Sequence, residues 1–135
     1  SAEHSVRNAV ASHAHTRAAD LITLSTVKNI YVLGWVVLNP NAPKKAVTLA
    51  LKTALSIAPM SDFVPFHVAR HPRASQSVLR SLESHWSSRV RAEVLKNPNA
   101  PFGVVQRLMG DDDDLVRGAL ASRLGVSVRV SDVAS

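Results

Sequence analysis

The chain has 135 residues, enough for about one domain, and a formal net charge of +6. Apolar residues make up 46% and aromatic residues 4%, too apolar for disorder and suited to small interdigitating helices. There is no Cys, which excludes disulfides, iron–sulfur clusters and thiolate metal sites, and no run of 18 apolar residues that would span a membrane. A Cys-free chain fits a cytoplasmic protein. The positive charge permits an acidic protein or nucleic acid as partner. The start, SAEHSVRNAV, has neither an initiator Met nor a basic-then-apolar leader, so a trimmed piece of a longer protein is expected.

The first predicted unit, Val6 to Leu24, carries Val6, Val10 and Ala11, then Leu21 and Leu24. Its turn is His13-Ala14-His15-Thr16, and Thr16 is the expected N-cap of the second helix. The second unit begins with the most apolar stretch, Ile30 to Val37, the expected most buried helix. Its turn is Asn39-Pro40-Asn41-Ala42-Pro43. A longer helix follows through Ala46, Val47, Ala50, Leu51, Ala54 and Leu55 before Pro59.

The third unit has Val64 and Val68, with Pro65 in a first turn where Pro is tolerated. Its turn is His71-Pro72-Arg73-Ala74-Ser75, followed by Val78, Leu79 and Leu82. In the fourth, Val90, Val94 and Leu95 share one helical face, and Ser87 is the expected cap. Pro98 stops that helix, because its ring disfavours helical geometry at Asn97 and it has no N–H. Asn97 and Asn99 suit a tight turn, Pro101 can open the next helix, and Val104, Val105 and Leu108 form its apolar face. The fifth unit keeps Val116, Leu120 and Ala121 but loses the turn to Arg123-Leu124-Gly125. Residues Val126 to Ser135 read as a short helix or, from the alternation of Val126, Val128 and Val130, as an extended segment.

Aligned on Val6, Val32, Val64, Val90 and Val116, the units are spaced by 26, 32, 26 and 26 residues. A period in this range predicts an all-α solenoid, one repeat domain over residues 1–135 with about five two-helix units. Neither helix of a unit can bury its face alone.

VRAEVLKNPNAP followed by VVQRL, then DDDDLVRGALAS, resembles the leucine-rich repeat variant family, an α-solenoid akin to HEAT and armadillo repeats. The resemblance spans nearly the whole chain. It implies a right-handed superhelix of α-helices alternating with short, partly 3₁₀ helices. Some members carry a Cys-rich iron–sulfur segment, which a chain without Cys cannot share. The family implies no common reaction.

Arg17, Lys44, Lys45, Lys52, Arg80 and Arg107, with Phe102, occupy non-core slots of the second helices. Stacked repeats present equivalent helices on one surface, commonly the binding face. The principal expectation is therefore a non-catalytic scaffold for a protein partner. The alternative is a nucleic-acid module on the same basic stripe, and the plain alternative a solvated face. End-to-end self-association or a missing upstream segment is a further expectation, since solenoid ends normally carry polar caps and the first unit begins almost at once with apolar Val6 and Val10.

Arg7, Arg91 and Arg117 recur after the first Val of a unit, predicting a structural ladder to carboxylates or carbonyls rather than phosphate binding. Asn39, Pro40, Pro43, His71, Pro72, Asn97, Pro98 and Pro101 are read as turn-makers, with His71 and His13 replacing Asn. Asp111 to Asp114 are expected to cap the next helix, with Asp113 pairing Arg117; an EF-hand's spacing and closing Glu are missing. His67 and His71 have a metal-compatible spacing without a third ligand, so no metal or cofactor is expected. No nucleophile elbow, phosphate loop or dinucleotide fingerprint occurs, so no enzyme is expected. Alkylpurine DNA glycosylases also use HEAT-like helices and form a remote alternative whose active-site residues have no placeable counterpart here.

Overall fold

The computed structural model describes residues 16–125, and these form eight α-helices without a strand. They are α1 (Ala18–Leu24), α2 (Ile30–Leu38), α3 (Lys44–Ile57), α4 (Phe63–Arg70), α5 (Gln76–Leu82), α6 (Ser88–Lys96), α7 (Phe102–Leu108) and α8 (Asp114–Arg123). The fold class is all-α. The expectations for Val6, Arg7, Val10, Ala11, His13 and residues 126–135 lie outside the described residues. No described residue is 3₁₀-helical, and α3, with 14 residues, is the longest helix. The expectation of partly 3₁₀ second helices is corrected, while α1, α5 and α7 are short, with 7 residues each, and α3 is the longer second helix that its apolar spacing indicated.

The ends of the helices follow from local chemistry. Asn39, His71 and Asn97 all have extended backbone (ψ 112°, 134° and 121°), because each precedes a Pro. The turn then closes in the same way each time. The amides of Ala42, Ala74 and Ala100 donate to the carbonyls of Asn39, His71 and Asn97 at 3.0, 3.2 and 3.0 Å. Those three alanines are buried, so the turn has room for a methyl and little more. Pro43, Ser75 and Pro101 occupy the N-cap position of the following helix. Pro101 thus stands one residue before the helix it was expected to open.

Two predicted caps differ from expectation. The N-cap of α1 falls on Arg17 rather than Thr16. Ser87 holds the N-cap position of α6, yet its hydroxyl donates to Asp62 Oδ2 at 2.8 Å instead of capping. Asp113 does cap α8, accepting from the Leu115 amide at 2.9 Å.

The longer-range packing is sequential. α2 packs on α4, α4 on α6 and α6 on α8, while α1 lies against α3. The core runs between the two sets and is built from Val, Leu and Ala. Each fully buried Val or Leu contributes roughly 1.5–3 kcal/mol relative to exposure. In α2 the residues Val32, Leu33, Val36 and Val37 are buried, whereas Tyr31, Trp35 and Leu38 are exposed. The extra length of α3 is anchored by Thr53, whose hydroxyl donates to Ser25 O at 2.9 Å. No helix among the described residues is long and apolar enough to cross a membrane.

Candidate binding surface

The turns set the frame of the surface. His71 Nε2 donates to Asn39 O at 2.8 Å. Asn97 Nδ2 donates to Ala69 O and His71 O at 2.8 and 2.9 Å. Arg123 takes the same position on the next turn, bonding Leu95 O and Asn97 O. Three different side chains therefore reach back to the preceding turn. Each of the first two also accepts from the amide two residues on: Arg73 N to His71 Nδ1 at 3.0 Å, Asn99 N to Asn97 Oδ1 at 2.9 Å. His71 Nδ1 must keep its lone pair, so Nε2 carries the proton and the ring is neutral. Burial lowers its pKa; the Asn39 carbonyl opposes this, and the Arg73 charge adds to the lowering. Both nitrogens are occupied, so His71 cannot join His67 in holding a metal, and no His, Asp or Glu cluster suited to a metal occurs among the described residues.

The arginine slot divides. Arg91 Nε donates to Asp111 Oδ2 at 2.8 Å, and its NH1 to His85 O and Trp86 O at 2.8 and 3.1 Å. Burial raises the Asp111 pKa, but the Asp113 amide and the Arg91 guanidinium together hold it below the ordinary carboxylate value. Arg117 is exposed and forms no ion pair with Asp113, whose carboxylate is turned to its capping bond. Arg7 lies outside the described residues.

Of the predicted binding residues, all seven are exposed. The second helices carry them as expected: Lys44, Lys45 and Lys52 on α3, Arg80 on α5, and Phe102 and Arg107 on α7, with Arg17 just before α1. They are not equivalent. Arg107 Nε is closed on Glu83, 2.7 and 2.8 Å from its two carboxylate oxygens. Arg17 lies 3.6 Å from Asp20. Lys44, Lys45, Lys52 and Arg80 meet no carboxylate in an ion pair among the described residues. Between Asp20 and Glu83 the only acidic residue is Asp62, and it is engaged by Ser87 and, at 3.9 Å, by Arg89. Of the predicted cations, those without a carboxylate partner among the described residues thus lie on α3 and α5.

Sequence reasoning missed Arg73. It sits in the turn slot filled elsewhere by Asn41 and Asn99, and its NH1 lies 3.3 Å from Asn41 O. With Lys44, Ser75, Gln76 and Asn99 it lines a cleft of about 560 Å³ at the turn edge of α3 and α5. Its being the only cation in that slot of the three Pro-containing turns was the available signal. A second cleft of about 490 Å³ lies among His85, Trp86, Arg91, Arg107 and Asp111, where both arginines are already paired.

No protein-family description, curated protein sequence or solved structure matches this chain.

Proposed function

We propose that the chain is an α-solenoid of the leucine-rich repeat variant type, right-handed and built from about five units, acting as a non-catalytic interaction module. Its partner is an acidic protein segment laid along α3 and α5. One observation carries this reading: α3, α5 and the turn between Arg70 and Ser75 hold Lys44, Lys45, Lys52, Arg73 and Arg80 without a single carboxylate. Cations kept apart from acids retain their charge for a partner, and such complementarity steers association. Sequential helix packing and the turn ladder are consistent with a solenoid, whose continuous faces suit extended segments. Among the second helices only Phe102 is aromatic, which argues against single-stranded nucleic acid, since stacking platforms are its usual seat.

The test is fluorescence anisotropy with a labelled Glu-rich peptide, a single-stranded oligonucleotide and a duplex, each over a salt series. The peptide should bind at low salt. A Lys45→Glu, Lys52→Glu, Arg80→Glu variant should bind it at least about tenfold more weakly. A peptide affinity untouched by the triple reversal would mean that α3 and α5 are not the binding face. Preference for oligonucleotides, with a steep salt slope, would move the module to the nucleic-acid class.

A further inference from the structure

We infer that the cleft between Lys44 and Arg73 is a subsite for a phosphate monoester, carried as phosphoserine or phosphothreonine on the acidic segment. The inference rests on the reading of α3 and α5 as a surface for such a segment, and names the group that surface recognises.

In this cleft two cations from separate turns, neither in an ion pair among the described residues, meet a common space. Lys44 begins α3, and Arg73 lies in the turn before α5, 29 positions later. Both line the same space of about 560 Å³, and no Asp or Glu lines it. A phosphorylated side chain brings nearly two negative charges and three acceptor oxygens. A planar guanidinium and a compact ammonium are the usual pair for it, the first giving directed N–H groups and the second a point charge.

Arg73 is also held ready. Its amide donates to His71 Nδ1 at 3.0 Å, and its NH1 donates to Asn41 O at 3.3 Å, which leaves the other guanidinium N–H groups available. The turn that carries Arg73 is braced by Asn99, whose Nδ2 donates to Pro72 O and Ala74 O at 2.8 and 3.3 Å. Pre-set walls lower the ordering cost of binding.

The neighbouring cleft provides the contrast. It also holds two arginines, but Asp111 and Glu83 neutralise them at 2.8 and 2.7 Å. From Glu83 to Gly125 carboxylates equal cations in number, so the positive track does not continue. A nucleic-acid backbone needs a series of phosphate contacts, whereas a single dianion needs one local site. No aromatic ring lines the Lys44–Arg73 cleft.

Two measurements on the full chain test this. The first is a nitrogen-15 amide shift titration with O-phosphoserine, and separately with inorganic phosphate and with glutamate at matched ionic strength. Phosphoserine should saturate, with shifts confined to the Lys44–Ala46 and Arg73–Gln76 amides. Glutamate should do neither. Equal shifts with glutamate, or shifts spread to Lys52 and Arg80, would overturn the subsite. Saturation by inorganic phosphate with weaker binding of phosphoserine would overturn its assignment to a phosphorylated segment.

The second measurement compares two Asp-rich peptides of one sequence, with and without phosphoserine. Phosphate should tighten binding at least tenfold in the wild type and less than twofold in Lys44→Gln. Lys44 makes no side-chain bond among the described residues, so its substitution should leave the remaining amide shifts unchanged; Arg73→Lys provides a second variant, which should lose part of the gain. Binding of both peptides with no phosphate gain rejects the subsite and leaves the acidic-segment reading standing. Failure of both peptides while phosphoserine still saturates the cleft rejects the segment reading instead.

Discussion

His71 donates from Nε2 to the main-chain oxygen of Asn39, 2.8 Å away and 32 residues earlier in the chain. Its Nδ1 meanwhile accepts the Arg73 amide at 3.0 Å. An imidazole thus reproduces both functions of the Asn97 carboxamide, whose Nδ2 reaches back and whose Oδ1 accepts from Asn99. His71→Asn should therefore change stability by less than about 1 kcal/mol, because the same two bonds can form. His71→Leu should cost about 1–3 kcal/mol, since it leaves the Arg73 amide without its acceptor. Urea unfolding with constant slope separates the two; equal losses in both variants would mean that packing, not hydrogen bonding, is what His71 supplies.

The neutral ring has a pH consequence. His67, His71 and His85 all have pKa values lowered from 6.5, in each case mainly by burial. Around His67 the Arg70 and Arg89 charges add to the lowering and Glu93 opposes it. Around His85, Asp62 opposes burial and Arg91 adds to it. Below 6.5 the unfolded chain binds these protons while the folded chain still refuses them. Proton binding then favours unfolding, so this stability is complete above 6.5 and declines as pH falls through the lower folded-state values. Thermal unfolding between about pH 7 and pH 5 should show a falling midpoint, with a smaller fall in His71→Asn. A midpoint that rises on acidification would contradict the lowering of these pKa values by burial.

Arg91 and Arg117 hold the same position after a buried Val, and their expected effects differ widely. Arg91 is largely covered, with 18% of its side chain exposed against 16% for Asp111, and it bonds two carbonyls besides. Arg91→Ala should cost about 2–4 kcal/mol, because a partly buried carboxylate and two carbonyls lose a charged donor. Arg117→Ala should stay within about 0.5 kcal/mol, as for an ordinary surface change. Chemical unfolding of the two single variants checks this, and equal small losses would remove the ladder role of Arg91.

The turns were legible because their signals are local. Pro40, Pro72 and Pro98 bar helix at the residue before them, and the apolar spacing marks the buried faces. What escaped was set by distant partners. The hydroxyl of Ser87 is taken by Asp62, 25 residues away, so a good local cap residue does not cap. Glu83 closes on Arg107 across 24 residues, so one predicted binding cation is spent. Arg123 continues the turn ladder without any Asn or Pro signature, because a long guanidinium can reach carbonyls that a short amide reaches only from a tight turn. Arg73 lines one cleft with Lys44 only because the fold brings the two turns together.

Two glycines in one slot give opposite expectations. Gly34 and Gly118 each stand two residues after the first Val of their helices, Val32 in α2 and Val116 in α8. At Gly34 a Cβ would collide with the Phe63 ring, 2.8 Å from Cζ. At Gly118 a Cβ would meet nothing within 4 Å. Replacing an unconstrained helical Gly by Ala gains about 0.5–1 kcal/mol, so Gly118→Ala should raise the unfolding midpoint. At Gly34 the same gain is opposed by displacement of the Phe63 ring of α4, whose edge rests on Gly34 of α2, and overpacking there costs roughly 1–3 kcal/mol. Gly34→Ala should therefore lower the midpoint, and in a Phe63→Ala background it should raise it. A double-mutant cycle reads this coupling directly. If Gly34→Ala stabilises as much as Gly118→Ala in both backgrounds, the close approach of the Phe63 ring is not what keeps Gly34 small.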